Sequence, residues 1–260
     1  MNAENIKTYI VKWLNYVLRS SSCTGFVVGV SGGIDSAVTS ALAALTEKPL
    51  LLLNMPIEQE EEQYNLSNEH IMWLASRHDN VSSLVIDLTA PYRSMISSLV
   101  GCNISELAAA NMASRLRMSA LYAAANTNNF MVTGTGNKVE DYGIGFFTKY
   151  GDGGVDLSPI ADLLKTEVYE LAEYLGVPES IQKAAPTDGL WGDNRTDEEQ
   201  IGATYEELEW ALQHYDKAAL IGFKLSPRQE KVLEIYKTRH LSSKHKMLLP
   251  PVCQIPKEIK

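Results

Sequence analysis

The string Ser31-Gly32-Gly33-Ile34-Asp35-Ser36 joins an apolar run to an apolar-periodic helix, and its residue types suit the binding of a phosphate. Glycines at 32 and 33 let backbone N–H groups approach an anion with no Cβ in the way, and the following helix directs its positive end at the same point. The hydroxyls of Ser31 and Ser36 add donors, and Gly29 and Val30 lead the chain into the turn. The Gly-Lys-Ser/Thr ending of a Walker loop is missing, so no lysine follows a transferring γ-phosphoryl group. The loop suits a departing pyrophosphate instead. Asp35 is a poor neighbour for polyphosphate unless a divalent cation lies between them, which makes it a candidate magnesium ligand.

Further polar strings accompany this loop. Arg115 and Arg117 lie two apart in a helical stretch and therefore point to different faces, one free for a ligand and the other for a structural pair. Thr133-Gly134-Thr135-Gly136-Asn137-Lys138-Val139-Glu140 follows a short strand, at the end where α/β sheets bind ligands. Glu140 and Asp141 form an acidic pair, and Lys149 stands in Phe146-Phe147-Thr148-Lys149-Tyr150-Gly151-Asp152-Gly153-Gly154. Pro186-Thr187-Asp188 and Lys244-His245-Lys246 complete the set.

The elements that must position these residues are legible as alternating strands and helices. Phe26–Val30, Leu50–Met55 and Leu84–Leu88 are apolar runs, each followed by a turn signal and a helical period, as in βαβ units. Ser105–Asn126 reads as a long helix, Phe130–Thr133 as a fourth strand, and Lys165–Leu175 as a helix stopped by Gly176 and Pro178. Thr204–His214 and a helix opened by the capping box Ser226-Pro227-Arg228-Gln229 follow. The fold class expected is α/β: a doubly wound, Rossmann-like parallel sheet flanked by helices, with C-terminal helices, in one domain spanning 1–260. Residues 134–154 are rich in glycine with no periodic face to bury, and 185–199 are polar and turn-rich. Both are expected to be mobile loops.

Composition narrows the function classes. With 23 basic and 32 acidic residues the 260-residue chain carries a net charge of −9, which disfavours a nucleic-acid partner. No run approaches the ~18 apolar residues of a membrane span. Three scattered cysteines with no CxxC pair, and an N-terminal amphipathic stretch interrupted by Lys7 and Lys12, point to a cytoplasmic setting.

The string Ser-Gly-Gly-x-Asp-Ser resembles the loop of the ATP pyrophosphatase group, enzymes that cleave ATP between the α- and β-phosphates to adenylate a substrate. Taken with the strings at 133–140, 145–156, 186–188 and 244–246, the chain closely resembles ammonia-dependent NAD synthetases from about Gly29 to Lys246. The resemblance implies a fold like that of the adenine nucleotide alpha hydrolases. It also implies a ligase that uses ATP and ammonia to amidate deamido-NAD through an acyl-adenylate, giving NAD, AMP and pyrophosphate.

Carried over by position, it puts ATP on Gly29, Val30, Ser31, Gly32, Gly33, Ile34, Asp35, Ser36, Thr135, Lys165 and Thr187. Magnesium falls to Asp35 and Glu140, deamido-NAD to Arg115, Lys149, Asp156, His245 and Lys246, and the chemical roles to Asp35, Glu140 and Lys165. A homodimer with the dinucleotide site at its interface is also implied. Ile6, Ile10, Trp13 and Val17 of the N-terminal helix and the Ser105–Asn126 helix are then candidate contacts. Between Glu140 and Phe146 the chain is about one residue longer than the family pattern, so Asp141 competes for the metal role. The rivals are a tRNA-thiolating enzyme or the synthetase half of a GMP synthetase, which would need an RNA-binding module or a glutaminase, and a non-catalytic nucleotide sensor.

Overall fold

The computed structural model describes residues 1–186, 196–218 and 224–260. Four parallel strands, β1 (Gly25–Gly29), β2 (Leu50–Asn54), β3 (Val81–Val85) and β4 (Phe130–Val132), form one sheet in the order β3-β2-β1-β4. The chain winds outward from β1 to β2 and β3, then crosses to the other side of β1 for β4. This is the doubly wound α/β topology expected from the sequence.

Strand side chains alternate between two cores. Phe26, Val28, Leu50 and Leu52 face one apolar cluster, whereas Val27, Leu51, Leu53 and Val132 face a second. With both faces covered, β1 and β2 read as unbroken apolar runs. The first core is closed by α1 (Ala3–Arg19), α2 (Ile34–Ala44), α3 (Glu61–Ala75), α6 (Lys165–Leu175) and α7 (Glu179–Lys183). The apolar stripe of α1 is largely core: Ile10, Leu14 and Leu18 are buried, and Ile6 and Trp13 pack against them. The second core is closed mainly by α5 (Glu106–Asn128). A short helix α4 (Thr89–Ser98) precedes α5 and buries none of its own residues.

Two expectations are corrected. The third strand begins at Val81, not Leu84, because pairing with Leu50–Asn54 sets its register and the Ser82 hydroxyl donates to the Leu50 carbonyl at 3.2 Å. Ile86 and Leu88 belong to the following turn, where they pack on the second core. The glycine-rich segment 134–154 does have a face to bury: Lys138–Ile144 forms a π-helical turn in which Val139 and Ile144 are 0% and 1% exposed. Their spacing of five residues equals the i→i+5 reach of a π-helical hydrogen bond, and their packing partners come from far along the chain. Those partners lie in α8 (Asp197–Ile201), α9 (Tyr205–Ala218) and α10 (Pro227–Met247), which build a third cluster with the turn. The capping boxes at Thr196 and Ser226 start α8 and α10.

Candidate active site

The C-terminal ends of β1 and β4 lie side by side where the chain reverses its winding direction, the place where open α/β sheets hold ligands. The phosphate loop leaves β1 there. Gly32 has φ of +91°, and a Cβ on it would lie 2.9 Å from the Gln63 carbonyl of α3, so only glycine fits without displacement. A Cβ on Gly29 would meet Met55 Cε at 3.1 Å. Val30 and Ile34 are buried anchors on either side of the turn. Within it, the Ser31 N–H donates to Ser36 Oγ at 3.2 Å, the Gly33 N–H to Ser31 Oγ at 3.2 Å, and the Ser36 hydroxyl to the Gly33 carbonyl at 2.9 Å. The loop is thus held in shape by its own hydroxyls.

Asp35 stands in the first turn of α2, and Glu140 comes to meet it from the π-helical turn. Lys165, the first residue of α6 and 3% exposed, places its ammonium between them, 2.5 Å from Asp35 Oδ2 and 3.0 Å from Glu140 Oε1. Asn137 organises the same point: its amide donates to Asp35 Oδ1 at 3.2 Å, and its carbonyl oxygen caps the N–H groups of Val139 and Glu140. The Tyr205 hydroxyl donates to Glu140 Oε1 at 2.6 Å, its ring lies 4.9 Å from the Lys165 ammonium, and Asp197 Oδ2 is 3.2 Å from its oxygen.

Burial raises the Asp35 carboxyl above its ordinary range despite the opposing charge of Lys165. Burial pushes Glu140 the same way, but Lys165 and the Tyr205 hydroxyl hold it ionised and below that range. Burial alone would discharge Lys165, yet Asp35 and Glu140 together raise it, so it remains an ammonium. Burial and Glu140 both raise Tyr205, which stays a neutral donor. Among the described residues no trio of His, Cys, Asp and Glu forms a ready metal nest. Two carboxylates beside a phosphate loop nevertheless fit magnesium, which takes one or two protein carboxylates and completes its shell with phosphate oxygens and water.

The remaining sequence candidates divide. Arg115 is exposed, with Nη2 3.4 Å from the Lys149 carbonyl, whereas Arg117 is tied to the Met55 carbonyl at 3.0 Å, the division of labour the i, i+2 spacing implies. Lys149 donates to the His245 carbonyl at 2.6 Å, closing the end of α10, and His245 itself is exposed. Lys246 donates to the Gly145 carbonyl and to that of Phe147 at 2.7 Å, with its ammonium over the Phe147 ring. Arg115, Lys149, His245 and Lys246 are therefore gathered around one loop. Lys246, Asp141, Phe147 and Asp156 also line a cavity of about 430 Å³ bounded by Trp13 and Val17 of α1. Asp156 lies at its wall, but both carboxylate oxygens are engaged, one by the Tyr122 hydroxyl at 3.0 Å and one by the Val132 N–H at 2.8 Å. Thr135 is half-buried in the turn after β4, and Thr187 lies outside the described residues.

The NAD synthase family model matches residues 6–250. The chain belongs to the NAD synthase family. The ammonia-dependent NAD synthetase of Carboxydothermus hydrogenoformans is 39% identical over 97% of this chain and 98% of its own. That of Syntrophomonas wolfei is 38% identical over the whole of both chains. The solved structure of an NMN synthetase from Francisella tularensis is 34% identical, with a TM-score of 0.85, over 98% of this chain and all of that one. A Campylobacter jejuni ammonia-dependent NAD synthetase, at 24% identity and a TM-score of 0.80, shares the fold. NAD synthetases of this family are ligases that form a C–N bond by ATP-dependent amidation of deamido-NAD.

In this family member, Glu140 and Asp141 both lie in the π-helical turn, whose hydrogen-bonded ring holds one more residue than that of an α-helix. Glu140 then faces Lys165, while the consecutive Asp141 turns toward Gly136 and the cavity. Sequence reasoning missed Asn137 and Tyr205. Asn137 had a signal, an amide just before a helical turn. Tyr205 had none, since it meets Glu140 from 65 positions further along the chain.

Proposed function

We propose that this chain forms an acyl-adenylate on deamido-NAD and resolves it with ammonia, using the residues gathered at the β1–β4 switch point. The observation that carries this reading is the buried Asp35–Lys165–Glu140 cluster beside the phosphate loop. A carboxylate oxygen of the nicotinate ring attacks the α-phosphorus of ATP, and the bond to the bridging oxygen breaks as pyrophosphate leaves. The nitrogen of ammonia then adds to the acyl carbon, AMP departs with the electron pair of the C–O bond, and the nitrogen sheds a proton to water.

The protein's share is alignment and charge. Backbone amides of Gly32 to Ser36 cradle the leaving pyrophosphate at the N-terminus of α2, and Thr135 and Lys165 complete the nucleotide site. Magnesium, when bound, would be held by Asp35 and Glu140 and would neutralise charge on the triphosphate. Lys165 keeps the two carboxylates together and brings the cluster to a net charge of −1. Arg115, Lys149 and Lys246 supply positive charge for the dinucleotide in an otherwise acidic protein, His245 stands beside them at the end of α10, and Asp156 lies at the wall of the cavity. With purified protein, magnesium and ammonium, pyrophosphate release from ATP should appear only when deamido-NAD is added. Release with no dependence on deamido-NAD would reject the reading.

A second reading has one observation behind it, the likeness to the Francisella tularensis NMN synthetase. On that reading the acceptor is the pyridine mononucleotide acid. Comparing kcat/KM for deamido-NAD and nicotinic acid mononucleotide decides between them, and a preference of more than tenfold for the dinucleotide supports the first.

The chain acts as one domain and as a homodimer in the cytoplasm. Support for the dimer comes from β3, where Leu84 and Val85 are 53% and 56% exposed on the sheet edge. Three free cysteines fit a reducing compartment.

A further inference from the structure

His70 of α3 is fully buried, as is Ser40 of α2, and His70 Nε2 lies 2.7 Å from Ser40 Oγ. The same hydroxyl lies 2.7 Å from the Ser36 carbonyl, one turn back along α2. A hydroxyl has one proton. With that proton on the Ser36 carbonyl, the serine oxygen must accept from the imidazole, which fixes the Nε2–H tautomer and leaves Nδ1 as a bare acceptor. Nδ1 has no partner among the described residues. The opposite assignment would bury an unpaired N–H, the costlier arrangement. Burial also depresses this imidazole to about 4, so it is neutral wherever the enzyme works.

A leucine would fill this space with no orphaned nitrogen, so the imidazole, which also meets the Trp73 ring at 5.5 Å between centroids, carries a polar cost. What it contributes is a bond into the element that starts the phosphate loop's helix. Ser36 Oγ is the hub of that loop, accepting from the Ser31 N–H and donating to the Gly33 carbonyl. The helix carrying His70 also forms the floor of the loop, where Gln63, Leu66 and Ser67 crowd Gly32.

We propose that His70 is a positioning residue for the phosphate loop: through Nε2–H it holds the Ser40 hydroxyl on the Ser36 carbonyl and so aims the first turn of α2 at the polyphosphate of ATP. This rests on the reading of Ser31 to Ser36 as the nucleotide loop. Glutamine reproduces the donor at the Nε2 position, and leucine removes it at similar volume.

The experiment measures magnesium-ATP affinity by calorimetry, KM for ATP and for deamido-NAD, and melting temperature for the wild type, H70L, H70Q, S40A and H70L/S40A. Loss of one buried hydrogen bond predicts roughly a tenfold weakening of ATP binding in H70L and in S40A. KM for deamido-NAD stays within about twofold, H70Q returns most of the ATP affinity, and the double variant is no worse than either single one. Unchanged ATP affinity in S40A or H70L overturns the inference. So does a parallel loss for both substrates that tracks melting temperature, or failure of glutamine to rescue. If the wild type takes up no magnesium-ATP, the nucleotide-loop reading itself falls, a result the variants cannot mimic.

Discussion

Two carboxylates within reach of one buried ammonium are stable only as a set. Removing Lys165 leaves Asp35 and Glu140 facing each other with little water to separate them, so K165M should lose up to about 3–5 kcal/mol in urea unfolding, and adding E140Q should recover part of that loss. An undiminished K165M would show that the cluster is not ionised as described. Tyr205→Phe keeps the ring under Lys165 and deletes the hydroxyl on Glu140, a charged-acceptor bond of about 1.5–3 kcal/mol. We expect kcat for pyrophosphate release to fall by about tenfold or more, with the magnesium concentration for half-maximal rate displaced upward. His70 gives a pH signature. Its folded value near 4 lies below its ordinary 6.5, so the unfolded chain binds more protons between those values. Stability is complete above pH 6.5 and should decline by about 3 kcal/mol as pH falls to 4. Urea midpoints of wild type and H70L across that window test this, since the leucine variant lacks the slope.

Local elements differ in how openly the sequence declares them. Lys165–Leu175 is the helix that the period and its Gly-Pro stop describe, and the capping box at Ser226 opens α10 where the spacing places it. The phosphate loop was legible because glycine and serine at those positions have few other uses. Its most exacting residue is Gly32: G32A meets both a positive φ and the Gln63 carbonyl, so about 1–3 kcal/mol of stability and most ATP affinity should be lost, as read by melting and calorimetry. An alanine variant that binds ATP normally would mean the loop does not grip the nucleotide. The π-helical turn was illegible for a complementary reason. Val139 and Ile144 are spaced five apart, which helix and strand templates both miss, and their partners in α8, α9 and α10 lie far downstream. The early start of β3 was hidden by Ser82 and Ser83, whose strand state depends on pairing with β2 rather than on their own preference.

At the level of the molecule, sequence strings named several residues that the fold gathers at the β1–β4 switch point but not how they are joined. Asp35, Glu140 and Lys165 were each nameable; that the lysine binds both acids, and that Tyr205 and Asn137 brace them, depends on β1, β4, α6 and α9 meeting at one sheet end. Asp156 adds a relation that no string declared: Tyr122 and the β4 backbone hold its carboxylate at the cavity wall. The bare sheet edge carries an assembly prediction. For the proposed homodimer, V85D on β3 should give a folded monomer in analytical ultracentrifugation, and a sedimentation coefficient unchanged from a dimeric wild type would move the interface elsewhere. The charge cluster has a last implication for biogenesis. Its two negative members are translated by residue 140 and its positive one only at 165, so a growing polypeptide released before that point carries repulsion at the junction of β1 and β4. Completion of the nucleotide pocket therefore waits on α6, which brings the compensating ammonium.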